Sequence, residues 1–592
     1  MTARATPLRS LTSTLATAVV LAAMAVRSAE AQPSADSATA SRSAARASSP
    51  SASGTLHDLL ILNGRIVDGT GAAWFYGDVA VYADRIVAVA PRGSLAGAVA
   101  RDTLDATGLV VAPGFIDIQG HSGSYLLSGD SRVIAKVSQG VTTEILGEGN
   151  TPAPLHPTRS LPANAAPMIR RFAEPRGFAN WLSAMESRGI SINVGSFVGG
   201  STLRSYGMAM RSGRAGEAET ADMRGALERA MQDGAFGLAT ALIYPPGVFA
   251  GTEELIDISR AMRPYGGLYI THMRSEGDQL LEAVDEAVAI GREAGVPVEI
   301  YHLKASGTRN FPKGPESIAR INAARAAGVD VQANMYPYPA GGTGLTSCLP
   351  PAAQEDNRLF TRLADRRERA RIRAEIERPT SEWENLCELA GPENVLIAVL
   401  ASDSLKPYSG KRLSEIAAAR GTDWIETAFT LIAAERNRVE TLYFMMSEEN
   451  VALNLRQPWM KIGTDAGGPN PDEAAGLVHP RSYGTFTRIL GRYVREQEVI
   501  ALEEAIRKMT SATARRVGLA ERGVLAPGMF ADIVVFDPNT VIDNATFEQP
   551  HQVSTGVVAT YVNGVAVWMR GAHTGAKPGR AVRGPGARAV SP

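Results

Sequence analysis

The chain has no excess of charge of either sign, almost no cysteine and no apolar run long enough for a comfortable membrane span. Its 60 Lys and Arg residues balance 61 Asp and Glu residues. The charge pattern therefore indicates neither a basic nucleic-acid-binding face nor an acidic solvated tail. Two cysteines, Cys348 and Cys387, exclude a disulfide-dependent scaffold, and the sequence leaves open whether they pair. The 592 residues are enough for one large domain and a smaller one.

The first residues contain a short apolar run between basic and small residues. Arg4 and Arg9 precede this run, at 15–26, and an Ala-Glu-Ala segment that ends at Ala31 follows it. This order predicts a cleavable signal peptide over residues 1–31, and therefore a periplasmic or secreted protein with no membrane contact after cleavage. An uncleaved anchor is the alternative. Residues 32–53 are rich in Ser and Ala and are predicted to form a disordered linker.

The middle of the chain alternates short apolar runs with longer helical patterns. This alternation predicts an α/β protein with a parallel sheet, specifically a (β/α)8 TIM-like barrel over residues 113–515. The eight runs are 115–118, 142–146, 192–197, 237–241, 267–272, 296–302, 330–336 and 460–465. Between the fifth and sixth runs, residues 277–295 have apolar positions at helical spacing and end at a glycine. Further helical and β-like stretches between the last two runs predict an insertion at about 350–430.

Both ends of the remaining chain are rich in β-forming residues. Segments 58–67 and 77–90 are divided by turn residues, and a similar texture returns at 531–536 and 557–568. We therefore expect residues 54–112 and 516–585 to form a small composite β-sandwich domain.

Potential metal ligands follow five of the predicted barrel strands. His121, His272 and His302 are three of only eight histidines in the chain, while Glu148 and Asp465 follow the second and eighth strands. The carboxyl ends of barrel strands meet on one face, so these side chains are expected to converge. Imidazole and carboxylate ligands without thiolates favour zinc, with manganese or iron as alternatives.

Three further features of these segments fit amide hydrolysis. Asp465 can also take a proton from a metal-activated water and pass it to the leaving amine. Lys304 lies two residues after a candidate ligand, so strand alternation predicts that it faces the same cavity. Arg481 can hold a carboxylate through its two-pronged guanidinium.

At these residues the chain resembles the N-acyl-D-amino-acid deacylases (D-aminoacylases) of the amidohydrolase superfamily. The resemblance extends over about residues 58–579. Its motifs include SQGVTTEI at 138–145, GLATALIYPPG at 237–247, GLYITHMRSEGD at 267–278, GVPVEIYHLKASG at 295–307 and HPRSYGTFTRILGRYVRE at 479–496. The resemblance implies a metal-dependent barrel with a composite β-domain, and a small N-acylated amino acid as substrate.

The same resemblance implies individual roles. His272 and His302 would bind a tightly held zinc, and Asp465 would be the general base and acid. The two cations described above would bind the carboxylate of the substrate. Tyr336 would polarise the scissile carbonyl, with Tyr338 as a competing candidate.

The chain departs from the family pattern at two ligand positions. Gln119 stands where the first histidine of Asp-x-His-x-His is typical, and its carbonyl oxygen is a weaker zinc ligand. Glu148, one position early in a local alignment, replaces the typical cysteine of the second strand. The fourth strand region, 237–243, contains no lysine that could bridge two metals. We therefore expect one tight zinc on Glu148, His272 and His302, and a weak or empty second site on His121, with Asp465 and doubtfully Gln119.

Several functions are compatible with this site. The leading one is deacylation of N-acyl-D-amino acids, although the motifs alone do not fix D over L selectivity. The alternatives are a D-dipeptidase, another carboxylated-amide hydrolase and a cyclic-amide hydrolase of the hydantoinase kind. A non-catalytic metal-binding barrel is the alternative of another class. Oligomeric state is left open.

Overall fold

A computed structural model describes residues 56–378, 382–436, 438–473 and 476–590. The predicted signal peptide, 1–31, and the predicted linker, 32–53, lie outside these residues. Among the helices that the structure describes, none combines the length and the apolar character needed to cross a membrane.

The described residues contain the following strands and helices in chain order. The strands are β1 Leu56–Ile66, β2 Phe75–Tyr82, β3 Arg85–Pro91, β4 Val99–Asp105, β5 Val110–Pro113, β6 Phe115–Asp117, β7 Val141–Leu146, β8 Asn193–Ser196, β9 Val198–Gly199, β10 Gly237–Ala241, β11 Leu268–His272, β12 Val298–Ile300, β13 Val331–Met335, β14 Ala340–Gly344, β15 Val395–Ile397, β16 Lys411–Arg412, β17 Glu440–Phe444, β18 Met460–Ile462, β19 Ile533–Phe536, β20 Val557–Val562, β21 Val565–Met569 and β22 Ala572–His573. The α-helices are α1 Gly123–Leu127, α2 Ile134–Val137, α3 Pro167–Arg170, α4 Gly177–Arg188, α5 Gly200–Met208, α6 Glu217–Asp233, α7 Thr252–Arg260, α8 Leu280–Ala294, α9 Lys313–Ala326, α10 Leu359–Ala364, α11 Arg366–Glu377, α12 Leu386–Ala390, α13 Leu413–Arg420, α14 Trp424–Glu435, α15 Glu448–Leu455, α16 Arg481–Arg488, α17 Leu502–Met509 and α18 Ser511–Val517.

The eight predicted apolar runs all become strands of a parallel barrel. Strands β6, β7 and β8 pair in that order, and β9, β10, β11, β12, β13 and β18 form the second arc. The third predicted run continues across Phe197 from β8 into β9, which links the two arcs along the chain. The seam between the first and eighth strands is closed beyond their ends, where His121 donates its backbone N–H to the carbonyl of Ala466 over 3.0 Å. This confirms the predicted (β/α)8 fold.

Side-chain alternation on these strands separates two apolar layers. Ile116, Ile145 and Ile270 point into the barrel, where they form one buried cluster. Val298 and Ile300 point outward and belong to the larger cluster between strands and helices. The predicted helix after the fifth strand is α8, and it ends at Gly295, which adopts φ 69° as a left-handed cap.

Both chain ends contribute strands to one nine-stranded sheet, which confirms a composite β-domain built from the two chain ends. Its order is β22-β21-β20-β19-β5-β1-β2-β3, with β4 also paired to β1. Strand β5 runs antiparallel to β19, so residues 110–113 lie beside residues 533–536. Ile533 and Val535 pack into the core of this sheet, whereas Val534 and Phe536 pack into the core shared with the barrel. The period-two pattern thus places the sheet against the barrel.

An insertion with its own core separates β13 from β18. Its antiparallel sheet has the order β14-β17-β15-β16, so its paired strands extend beyond the predicted limits of about 350–430 at both ends. Helices α10–α14 and this sheet enclose a separate apolar cluster. Cys348 and Cys387 form a disulfide within that cluster, which answers the question that the sequence left open. The bond joins the segment after β14 to α12.

Candidate active site

The predicted ligands converge at the carboxyl ends of the barrel strands, called here the upper end. His272 is the last residue of β11, and Glu148 lies two residues beyond β7. His302 follows β12 by two residues, Asp465 follows β18 by three, and His121 follows β6 by four. Four of these five side chains therefore leave the chain after regular pairing has stopped.

Backbone strain accompanies two of these positions. His302 has φ 33° and Asp465 has φ 50°, both in the left-handed region that non-glycine residues rarely occupy. Such conformations cost roughly 1–3 kcal/mol each and persist where the surrounding structure imposes them. Here they turn the two side chains into the barrel mouth, so the conformations serve the arrangement of the site.

Glu148, His272 and His302 form the first of two ligand triads. The Glu148 Oε1 lies 3.3 Å from the His272 Nδ1 and 3.3 Å from the His302 Nε2. All three side chains are at most 8% exposed. Burial raises the pKa of the Glu148 carboxyl, but His302 and the other histidines outweigh burial and hold this pKa well below its usual value. An ionised carboxylate between two imidazoles is a fitting donor set for zinc.

His121, Glu148 and Asp465 form the second triad. The His121 Nε2 lies 3.2 Å from the Glu148 Oε2 and 3.0 Å from the Asp465 Oδ1. In each triad the ligand atoms lie within 4.8 Å of one another, and Glu148 belongs to both. His121 is 40% exposed, so this side of the site opens to solvent. Partial burial opposes its charge, yet Asp465 and Glu148 together raise the pKa of His121 to about 10.

Gln119 contacts the shared carboxylate through its amide nitrogen. Its Nε2 donates to the Glu148 Oε2 over 2.6 Å, and its Oε1 finds no hydrogen-bond partner among the described residues. The reverse amide orientation would bring two oxygens together, so the donor assignment is the favourable one. In this arrangement Gln119 orients Glu148, and its predicted role as a metal ligand stays a prediction.

Arg481 and Tyr336 lie beside Asp465. The Arg481 Nη1 is 2.7 Å from the Asp465 Oδ2, and its guanidinium lies 4.5 Å from the centre of the Tyr336 ring. Burial raises the pKa of the Asp465 carboxyl, but the Arg481 charge outweighs burial and lowers this pKa overall. Asp465 is therefore ionised at neutral pH, as a general base must be. Burial holds the pKa of Tyr336 well above its usual value, so its hydroxyl keeps its proton.

The competing tyrosine has a different environment. Tyr338 donates to the Asp543 Oδ2 over 3.2 Å, and the guanidinium of Arg488 lies 4.6 Å from its ring centre. This contact connects Tyr338 to the loop after β19. Of the two candidates, Tyr336 is the one that contacts Arg481 beside the second triad.

Lys304 reaches the first triad through a partner that the sequence analysis missed. Its Nζ lies 2.5 Å from the Glu276 Oε1 and 2.8 Å from the His302 Nδ1. The same Glu276 oxygen is 2.8 Å from the His302 Nδ1. Glu276 belongs to the GLYITHMRSEGD motif and follows His272 by four residues, which was the available signal.

A buried lysine under the barrel seam was also missed. Lys136 is fully buried, and its Nζ lies 2.7 Å from the Asp117 Oδ2 and 2.6 Å from the Thr464 Oγ1. It also faces Glu144, whose Oε1 would lie 1.9 Å from a Cβ at Gly120. A side chain at position 120 would displace Glu144, so the glycine keeps this charged layer intact.

Comparison with known proteins agrees with the geometry. Residues 410–568 match the model of the Amidohydrolase family. The D-aminoacylase of Alcaligenes xylosoxydans xylosoxydans is 38% identical over 528 residues, which is 88% of this chain and 97% of that protein.

Two solved structures extend the comparison. A D-aminoacylase described as having a binuclear metal centre, with one-metal activation and second-metal attenuation, has a TM-score of 0.73 at 37% identity. An N-acyl-D-glutamate deacylase from Bordetella bronchiseptica, complexed with zinc and a phosphonate mimic of the tetrahedral intermediate, has a TM-score of 0.74 at 33% identity. Each match covers 89% of this chain and all of the other.

Proposed function

The chain belongs to the N-acyl-D-amino-acid deacylase (D-aminoacylase) family of metal-dependent amidohydrolases, and from this membership we propose the roles of its individual residues. The reaction is hydrolysis of the amide bond of an N-acyl-D-amino acid. The observation that carries the assignment of roles is the pair of ligand triads that share Glu148, with Asp465 in the more exposed one.

Glu148, His272 and His302 would hold the tight zinc. When bound there, zinc would supply Lewis-acid chemistry, polarising a carbonyl and lowering the pKa of water. The second triad has an exposed histidine, and Gln119 donates to its shared carboxylate, so a second cation binds there weakly or not at all. Metal analysis is expected to give one tightly held equivalent, and two would contradict this arrangement.

Asp465 acts as the general base and then as the general acid. Arg481 keeps the carboxylate of Asp465 ionised, so that the Asp465 Oδ1 can accept a proton from water at the barrel mouth. The same oxygen then returns the proton to the leaving amine. His121, 3.0 Å away, stabilises the negative charge of Asp465 before it accepts the proton and again after it has returned it.

Lys304 and Arg481 bind the carboxylate of the substrate. Both side chains are at most 6% exposed, and each lies beside one of the triads. They can therefore hold the carboxylate of an amino acid while its amide bond reaches the triads. Tyr336 keeps its proton, and its hydroxyl donates a hydrogen bond to the scissile carbonyl oxygen.

The first test is hydrolysis of N-acetyl-D- and N-acetyl-L-amino acids by zinc-loaded protein, with Asp465→Asn alongside. We expect turnover of the D series, and a loss of about 10²–10⁴-fold in kcat when the general base is replaced. Asp472→Asn is the matched control, because Asp472 is an exposed carboxylate on the loop after Asp465. Equal kcat in wild type and Asp465→Asn would remove the proposed base.

The substrate panel also separates the alternatives. D-dipeptides and hydantoins are included beside the N-acetylated amino acids. Turnover confined to the ring substrates would replace the deacylase assignment, and the absence of any hydrolysis would favour a binding role.

We also propose that residues 1–31 are removed on export, so that the mature protein is periplasmic or secreted. The basic residues, the short apolar run and the Ala-Glu-Ala segment support this proposal. N-terminal sequencing of the protein from the periplasm or medium should begin at Gln32. Full-length protein that remains with the membrane fraction would instead identify an uncleaved anchor.

A further inference from the structure

Glu276 lies on the loop between β11 and α8, behind the first triad. Its side chain is 4% exposed. One oxygen, Oε1, contacts both the Lys304 ammonium at 2.5 Å and the His302 Nδ1 at 2.8 Å. The other oxygen, Oε2, is 3.8 Å from the His272 Nε2. One buried carboxylate therefore touches a predicted substrate-binding cation and approaches two predicted metal ligands.

The loop that carries Glu276 is held from two directions. The backbone N–H of Ser306, beyond β12, donates to the Glu276 carbonyl over 2.7 Å. From the insertion, the Glu384 Oε2 accepts the backbone N–H groups of Glu276 and Gly277, both at 2.8 Å, and the Ser275 hydroxyl at 2.7 Å. Three donors on one carboxylate oxygen fix the loop, so Glu276 is presented to the triad in a set position.

Metal binding imposes one tautomer on His302. Its Nε2 faces Glu148 in the first triad, and a metal there requires the lone pair of that nitrogen. The proton must then reside on Nδ1, which needs an acceptor. The Lys304 ammonium has no acceptor capacity, whereas the Glu276 Oε1 lies at hydrogen-bonding distance.

We propose that Glu276 is a positioning residue that couples the metal site to the substrate carboxylate site. Its Oε1 accepts a hydrogen bond from the Nδ1–H of His302, which leaves the Nε2 lone pair for a metal. The same oxygen binds the Lys304 ammonium. Once His302 carries its proton on Nδ1, Lys304 can no longer donate to that nitrogen. Its remaining N–H groups are then available to the carboxylate of the substrate. This inference rests on the roles of His302 and Lys304 in the proposed function.

The test compares Glu276→Gln, Glu276→Asp and Lys304→Met with the wild-type protein. Zinc affinity is measured by competition with a chromophoric chelator, and kcat and KM are measured with an N-acetyl-D-amino acid. Glu276→Gln is expected to weaken zinc binding about 10–100-fold, the usual effect of losing an outer partner of a metal-bound histidine. Its KM should also rise about tenfold or more, because Lys304 loses a charged partner.

The other two variants separate positioning from general damage to the fold. Glu276→Asp keeps the charge and should recover part of the zinc affinity. Lys304→Met should raise KM while leaving zinc affinity within about twofold, because Glu276 then serves His302 alone. Glu286→Gln is the control, because Glu286 accepts hydrogen bonds from Arg274 on the same loop and, within the described residues, has none with His302.

The zinc measurement needs no substrate, so it distinguishes this inference from the proposed function. Weaker zinc binding in Glu276→Gln alone supports the positioning role even if the wild-type protein hydrolyses no acyl-amino acid. Zinc affinity within twofold of wild type in Glu276→Gln overturns it, and so does an equal loss in Glu286→Gln.

Discussion

The two ends of the barrel carry buried charges from the same strands but arrange them differently. At the lower end, Glu299 of β12 lies 3.1 Å from the Lys461 Nζ of β18 and accepts from the Arg516 Nε over 2.9 Å. At the upper end, the segments after these strands contribute His302 and Asp465 to the triads. The lower cluster thus pairs a carboxylate with two cationic side chains. The upper cluster instead places histidines and a second carboxylate, all potential metal ligands, around Glu148.

This difference shows how one scaffold separates stability from chemistry. Opposite charges that meet in the interior form ion pairs with each other, so the lower cluster requires no bound ion or ligand. Histidines and carboxylates that converge offer several lone pairs to a small volume, which only a cation can satisfy fully. Buried charge by itself therefore does not identify a functional site, whereas the chemical type of the neighbours does.

Glu148→Gln should break the upper end and produce the largest effect. We expect the tight zinc to be lost and kcat/KM to fall about 10²–10³-fold, because a catalytic metal supplies several kcal/mol. Metal content after dialysis and steady-state kinetics give the answer, and a variant that retained zinc and activity would show that Glu148 is not a ligand.

Glu299→Gln should break the lower end instead. Lys461 and Arg516 would lose their shared carboxylate, and removing one partner of a buried ion pair costs about 3–5 kcal/mol. Denaturant unfolding of the metal-free protein measures this loss. Zinc affinity should match the wild type, and a parallel loss of zinc would mean that the two ends are not independent.

Asp278→Asn sharpens the comparison with an exposed pair and should give the smallest effect. Arg309, through its hydrogen bonds, lowers the pKa of Asp278 to about 2. Because this pKa is depressed on folding, the stabilisation is present above about pH 4 and is lost as the pH falls through 2. Asp278 is 42% exposed, so solvent screening limits the effect to under about 1 kcal/mol.

Unfolding of wild type and Asp278→Asn is compared from pH 5 down to the lowest pH at which both fold. The difference in unfolding free energy should be constant above about pH 4 and shrink below it. A difference that grew toward low pH would have the wrong sign for a depressed carboxyl pKa.

The barrel was predictable from the sequence because strands and helices leave periodic patterns. The eight apolar runs mark all eight strands, and His272 stands at the end of β11 as expected. Glu276 was not predicted, since it lies on an irregular loop where no period links sequence position to direction. Strand alternation predicted that Lys304 faces the same cavity as His302, yet β12 ends at Ile300, so the geometry of the following loop brings the two side chains together.

The contacts that Lys136 makes at the barrel seam were also not predictable from the sequence. Lys136 lies on a single helical turn, and two of its partners, Asp117 and Thr464, are 347 residues apart in the chain. The replacement of a typical histidine by Gln119 was visible in the sequence. Its contact with Glu148 depends on the distance between two loops, which only the folded chain defines.

The pairing of β5 with β19 has a consequence for how the chain matures. Pro113 lies opposite Ile533, so the two partners are 420 residues apart in synthesis. At about 5–20 residues per second, a ribosome needs roughly 20–80 s to supply the second strand after the first. For that interval the N-terminal β-segment has no partner on this edge, and the composite sheet is completed only when nearly the whole chain has been made.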